Sequence, residues 1–184
     1  MTRYKENIKN YSSITKIIVV DNNSSNGDYE KLNSLNDYNV DVVKTDKNGG
    51  YSYGNNFGIK YVEKKYGLNF FDTYIISNPD VSVKNDVIEK CNFKLHSNSK
   101  IAVVAPRMKF VNGVARRSAW KKRTFAIDIA CSTRITEFLL FPLLKKGEYS
   151  KKIFNTNKEL KVHAIAGSFF LIKSKLLRGE TLCK

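Results

Sequence analysis

The chain has 184 residues, 42% hydrophobic and 12% aromatic, which is one domain's length with enough apolar surface to exclude disordered and low-complexity classes. Three cysteines without a C-x-x-C pair exclude a disulfide framework or thiolate metal site and fit a reduced cytoplasmic setting; the polar first ten residues exclude a signal peptide, and Asp128, Arg134 and Glu137 break the most apolar stretch, 124–144, too often for a membrane span. The net charge of +15 lies wholly in the second half: residues 1–92 carry 12 basic and 12 acidic side chains, residues 93–184 carry 20 and 5, which reads either as a lysine-rich bias with solvated side chains or as attraction to a phosphate-rich partner or an anionic membrane.

In chain order, residues 3–12 place Tyr4, Ile8 and Tyr11 at a three-to-four spacing that predicts a short helix. The β-branched run Ile17-Ile18-Val19-Val20 predicts a strand over 14–20 covered on both faces, as in a parallel sheet, and closed by Asp21. Turn residues fill 21–28, where Asp28 or Ser25 is placed to cap a helix through Leu35. A second strand is expected over 40–45, a glycine-rich loop over 48–58, then an amphipathic helix over 59–66 with Ile59, Val62 and Tyr66 on one face. A third strand, 70–77, stops at Asn78-Pro79-Asp80 because Pro79 has no amide hydrogen to donate. A helix over 85–96 and a strand over 101–105 complete a βαβαβ alternation, the pattern of an α/β sheet with right-handed crossovers. Asn112-Gly113 predicts a type I′ hairpin joining 108–111 to 114–117. An amphipathic helix is expected over 125–144 and a late strand over 162–172.

Ligands of open α/β sheets bind outside the carboxyl ends of the strands, where loops expose polar groups and helix N-termini offer free N–H donors. Asp21 and Asp80 follow two such ends. A carboxylate there accepts from a nucleobase imino group or a ribose hydroxyl, or holds a hard divalent cation that bridges phosphates; for either residue alone the alternative is a helix cap or an Asx turn. Between them, Gly49, Gly50, Gly54 and Gly58 do not spell G-x-G-x-x-G and no G-K-[ST] follows, which excludes the dinucleotide fingerprint and the P-loop. No H-E-x-x-H, G-x-S-x-G or Cys/His pairing supports a hydrolase, and the histidines are His96 and His163 alone.

Five blocks then fall in register: Val19-Val20-Asp21-Asn22-Asn23-Ser24-Ser25; the stretch from Asn48-Gly49-Gly50 through Gly54-Asn55-Asn56-Phe57-Gly58; Asn78-Pro79-Asp80-Val81; Ala105-Pro106-Arg107-Met108; and Gly167-Ser168-Phe169-Phe170-Leu171-Ile172-Lys173. In order and spacing they resemble the family 2 glycosyltransferases, and among these the rhamnosyltransferase-like bacterial members. The resemblance implies a GT-A fold, a Rossmann-like mixed α/β sheet flanked by helices. It implies transfer of a sugar with inversion from a nucleotide-diphosphate sugar to a glycan or lipid-linked acceptor in surface polysaccharide synthesis, with Mg²⁺ or Mn²⁺ as cofactor. By the same resemblance Asp21, with Asn23 and Ser24 beside it, contacts the nucleotide base. Asn48, Gly50, Gly54 and Asn56 line the donor site. Asp80 holds the metal while Asn78 stands where the family's D-x-D motif has its first aspartate, and Gly167 and Ser168 adjoin the donor sugar and acceptor.

The family's first central strand and the acidic cluster that supplies its catalytic base have no counterpart in 1–184, and Glu180 lacks the pattern for that role, so the domain is expected to be truncated at both ends, with no catalytic residue assigned and a severely reduced activity. It is expected to form a single incomplete domain, with a nucleotide-sugar-binding half at 1–106 and a basic half at 107–184 facing the acceptor or an anionic membrane. The expected location is cytoplasmic, with a peripheral position on the inner face of the membrane as its variant. Two alternatives stand beside this reading. One is an inactive remnant that still binds nucleotide sugar. The other is a basic single-stranded nucleic-acid-binding module built on Arg116, Arg117, Trp120, Lys121, Lys122, Arg123, Lys151 and Lys152, although no RNA-binding signature accompanies it and no nucleic-acid partner is expected.

Overall fold

The computed structural model describes residues 16–25, 27–68, 70–122, 149–156 and 158–177. The helices expected over 3–12 and 125–144 lie outside the described residues, as does Glu180. The chain groups into two compact units, one from Met1–Val104 with Ser168–Lys184 and one from Ala105–Gly167.

In the first unit, β1 (Ile17–Asp21) and β2 (Val40–Lys44) form a parallel pair in the register Ile17↔Val40 to Asp21↔Lys44, joined through the short helix α1 (Asp28–Asn33). Both strands follow from their β-branched runs. Leu35, Val40 and Val42 are buried beneath Ile17, Val19, Tyr29 and Leu32. Ile17 through Val20 are only half-buried, so the cover expected on both faces is partial. Gly27, with φ 67°, takes the N-cap position expected of Ser25 or Asp28, because the chain enters α1 in a left-handed turn that glycine adopts without strain.

The main departure is α2, which runs Gly50–Tyr66. The expected loop over 48–58 is therefore helix from Gly50 onward. Glycine inside a helix costs up to about 1 kcal/mol relative to alanine, which is why the glycine count reads as a loop. Gly54, Gly58 and Val62, spaced at four, are instead the buried stripe of α2, and they let it lie close to β1.

The strand expected over 70–77 begins three residues later, as β3 (Thr73–Ser77). Phe70 and Phe71 pack edge to face with each other, and at the end of α2 Tyr66 stacks on Phe70 and meets Phe71 edge to face, with centroids 4.9–5.9 Å apart, so that neither phenylalanine enters the sheet. Helix α3 spans Asn85–His96 as expected, and buries Ile88, Cys91 and Leu95. The next strand is reduced to β4 (Val103–Val104). The late strand expected over 162–172 divides in two, β6 (Ala164–Ile165) and β7 (Phe169–Lys173), separated by a turn at Gly167-Ser168.

β7 lies between β3 and β4 and is antiparallel to both, pairing Ser77↔Phe169 and Val104↔Leu171. β3 and β4 thus share a direction without touching, and the architecture is mixed α/β rather than wholly parallel. Leu171 is fully buried, and Ile59 of α2 packs with Ile76, Ile172 and Leu177.

In the second unit, β5 (Ala119–Trp120) pairs antiparallel with β6, and Arg107 donates to the carbonyls of Ile153, Thr156 and Lys158 around a 3₁₀ turn at Lys151–Asn155. The hairpin at 108–117 forms, but its turn is not type I′. Gly113 N–H donates to Phe110 C=O at 2.8 Å and Gly113 alone takes positive φ (81°), while Asn112 does not; this is a type I turn followed by a left-handed glycine.

Candidate functional site

β1 ends at Asp21, which is 3% exposed. Its Oδ1 accepts from the Ser24 amide at 3.1 Å, so this oxygen does close the Asx-type turn weighed for it. Its Oδ2 is buried and has no hydrogen-bond partner among the described residues. A buried acceptor left unmade costs about 1–3 kcal/mol, so this atom calls for a donor beyond the described residues.

Around it, Asn22 ties the loops together. Its Nδ2 donates to Asn48 Oδ1 and to Gly50 C=O, each at 3.0 Å, while Thr45 Oγ1 lies 3.2 Å from its Oδ1. The Thr45 amide donates to the Asp21 carbonyl at 2.9 Å, which carries the sheet spacing one residue past β2. Asn23 sits in the left-handed region with φ 60°, a conformation asparagine tolerates, and its Nδ2 reaches the Asp46 carbonyl at 3.4 Å. Gly50, at φ 82°, opens α2, and its amide donates to Asn48 Oδ1 at 3.2 Å. Tyr53 OH bonds Asp46 Oδ1, which raises the Tyr53 pKa and lowers that of Asp46 and fixes the loop to the first turn of the helix.

A Cβ built on Gly54 would lie 3.5 Å from Asn22 Cγ, an ordinary contact, whereas one on Gly58 would come within 2.9 Å of Val20 Cγ2. The N-terminal turn of α2 is thereby set beside the end of β1, where the helix macrodipole places a partial positive charge. Asn56 is half-buried on the same helix.

The other expected residues lie at the end of β3. The Asn78 amide donates to the Ser168 carbonyl at 2.8 Å, which continues the β3–β7 ladder by one rung. Asp80 is exposed in the turn that follows, and Gly167 is exposed just before Ser168, whose Oγ is buried without a partner among the described residues. Hydrogen bonds thus gather Thr45, Asn48 and Gly50 about Asn22, join Ser24 to Asp21, and separately join Asn78 to Ser168.

Sequence reasoning missed Asn22, Thr45 and Asn55. The Asn55 Nδ2 is buried and unpartnered among the described residues. The available signal for Asn22 was its position directly after Asp21, opposite the small face of a glycine-spaced helix; nothing local marked Thr45 or Asn55.

Away from this end, Asp41 of β2 is 7% exposed and fully engaged. It receives Lys16 at 2.9 Å on Oδ1, and Tyr66, Lys65 and Tyr61 at 2.7, 2.9 and 3.1 Å on Oδ2. Burial pushes its pKa up, but the hydrogen bonds from Tyr66, Lys65, Lys16 and Tyr61 outweigh this and hold it well below 3.8. Lys65 is raised in turn by Tyr61 and Asp41.

A parallel strand pair that ends in a polar loop and a helix N-terminus, with a separate antiparallel three-stranded sheet in the same unit, is consistent with a GT-A fold. The chain belongs to the glycosyl transferase family 2, whose model matches residues 4–179. It is similar to the low-salt glycan biosynthesis hexosyltransferase Agl10 of Haloferax volcanii, 27% identical over 108 residues that cover 56% of this chain and 33% of that protein. The chain therefore spans a third of the length of that relative in the aligned region. No solved structure matches it.

Proposed function

We propose that this chain binds a nucleotide-diphosphate sugar at the end of β1 and transfers the sugar, with inversion, to a glycan or lipid-linked acceptor of the cell envelope. The observation that carries the reading is the Oδ2 of Asp21, buried and without a partner among the described residues, next to Asn22, which bonds the first residue of α2, in a chain of this family. Asp21 Oδ2 accepts from the imino N–H of the base, Asn22 and Asn48 hold the loop that frames it, and the amides opening α2 face the diphosphate. Gly167 and Ser168 are the proposed neighbours of the donor sugar.

Among the described residues no three His, Cys, Asp or Glu side chains gather into a metal-binding cluster. The single exposed carboxylate of Asp80, with the Asn78 amide oxygen near it in sequence, is the donor set of a Mg²⁺ or Mn²⁺ that takes few protein ligands and completes its shell with phosphate oxygens and water. Such an ion would neutralise charge on the diphosphate leaving group. No described residue is assigned as the base. Among the described residues no helix is long and apolar enough to cross a membrane, and a peripheral place on the cytoplasmic face of the membrane is part of the proposal.

The test is a thermal melt with UDP, dTDP or GDP and Mg²⁺ or Mn²⁺. At about a hundred times the dissociation constant, ligand adds about 2.7 kcal/mol of stability. A gain that requires metal and disappears in Asp80→Ala supports the reading; a melt indifferent to every nucleotide would overturn it.

A further inference from the structure

The 108–117 hairpin of the second unit has an exposed apolar tip. Val111 is 100% exposed, Val114 57% and Phe110 52%, and the three flank the turn at Asn112-Gly113. The turn is well made: Phe110 N–H donates to Val114 C=O at 2.9 Å, Arg116 N–H to Met108 C=O at 2.9 Å, and Val114 N–H to Asn112 Oδ1 at 3.1 Å. These side chains are therefore held outward by an ordered backbone. Exposed Lys109 and Arg116 flank the tip, with the Arg116 guanidinium 5.7 Å from the centre of the Phe110 ring, and exposed Lys122 follows. From 105 to 127 the chain has seven basic residues and no acidic one.

Apolar side chains at a rigid tip with cations at its base match a bilayer surface, where the tip enters the acyl boundary and the cations meet anionic headgroups. A single-stranded nucleic acid would need planar groups on which to stack, yet two of the three tip residues are valines. We infer that the 108–117 hairpin is a wedge that docks the protein on an anionic lipid surface. This deepens the acceptor side of the function proposed above and rests on its lipid-linked acceptor.

The test is co-sedimentation of the full chain with vesicles of phosphatidylcholine alone or mixed with phosphatidylglycerol. Binding is expected to require the anionic lipid, and Val111→Asp is expected to weaken it about tenfold, because apolar burial is lost and a like charge is added. Arg116→Gln is expected to weaken it about fivefold. Phe93→Ser, at a 79% exposed phenylalanine on α3, is expected to leave it unchanged. Since Val111 is fully exposed, its variant should melt like the parent.

Three results would overturn the wedge: anionic-vesicle binding untouched by Val111→Asp and Phe110→Ser, no vesicle binding by the parent, or equal loss in Phe93→Ser. Binding of a single-stranded oligonucleotide that is lost in the same tip variants would replace the lipid with nucleic acid. The nucleotide melt reads the catalytic proposal separately, so a wedge that fails while that melt succeeds leaves the donor site standing.

Discussion

Asp21 and Asp41 lie on adjacent, hydrogen-bonded strands, are 3% and 7% exposed, and differ in what fills their oxygens. Asp41 is met by two lysines and two tyrosines drawn from the approach to β1 and from α2. Asp21 spends one oxygen on its own turn and keeps the other buried and empty of protein donors among the described residues. A carboxylate with its acceptor positions occupied joins elements of the fold, whereas one with an acceptor left open among the described residues has room for a further donor. Burial alone does not separate these roles; the count of donors does.

The largest expected break of this contrast is Asp41→Ala, which removes one member of a buried charge network and should cost about 3 kcal/mol in denaturant unfolding. The same network sets a pH dependence. Because the folded pKa of Asp41 lies below its ordinary 3.8, its stabilisation is present in full above that value and fades as pH falls beneath it. Acid titration should show a loss of stability below about pH 4 that is smaller in Asp41→Asn.

Next in size, Asp21→Asn keeps the acceptor that closes the turn at Ser24. It should leave the ligand-free melt within about 1 kcal/mol of the parent while abolishing the roughly 2.7 kcal/mol nucleotide gain. If Asp21→Asn unfolded the protein as readily as Asp41→Ala, the contrast would collapse. A finer test uses two glycines one helical turn apart. Gly58→Ala forces a methyl against Val20 and should destabilise by about 1–3 kcal/mol. Gly54→Ala meets only ordinary contact with Asn22 and should stabilise by up to about 1 kcal/mol, yet weaken nucleotide binding if that face lines the donor site. Differential scanning calorimetry with and without nucleotide reads both.

How much of this was legible in the sequence depended on the range of the interactions. β1, β2 and α3 were readable because a β-branched run or an amphipathic period is local, and turn residues bounded each of them. The five blocks of the family pattern were readable for the same reason. The start of α2 was not, because the helical cost of Gly54 and Gly58 is local while the compensation, close approach to Val20 and Asn22, comes from another element. The division of the late strand into β6 and β7 was hidden in a continuous apolar run, since the two halves serve different sheets. Asp41 gave no sign of its partners: Tyr61, Lys65 and Tyr66 are brought to it by the packing of a helix whose first half had been read as loop. In the site itself, Asp21 and Asn48 stood out by position, but the bridging part played by Asn22 rests on contacts 26 and 28 residues away.

The placement of β7 bears on how the molecule is made. β3 is complete at Ser77 and β4 at Val104, yet the strand that joins them begins only at Phe169, after the whole of the second unit has been synthesised. At about 5–20 residues per second, translation leaves both strands without their common neighbour for several seconds. Their open edges are then available to chaperones or to other nascent chains. The final sheet closure joins segments distant in sequence, which slows it further. Yield in the cell should therefore follow the speed of synthesis across residues 105–167 more closely than the equilibrium stability of the finished fold.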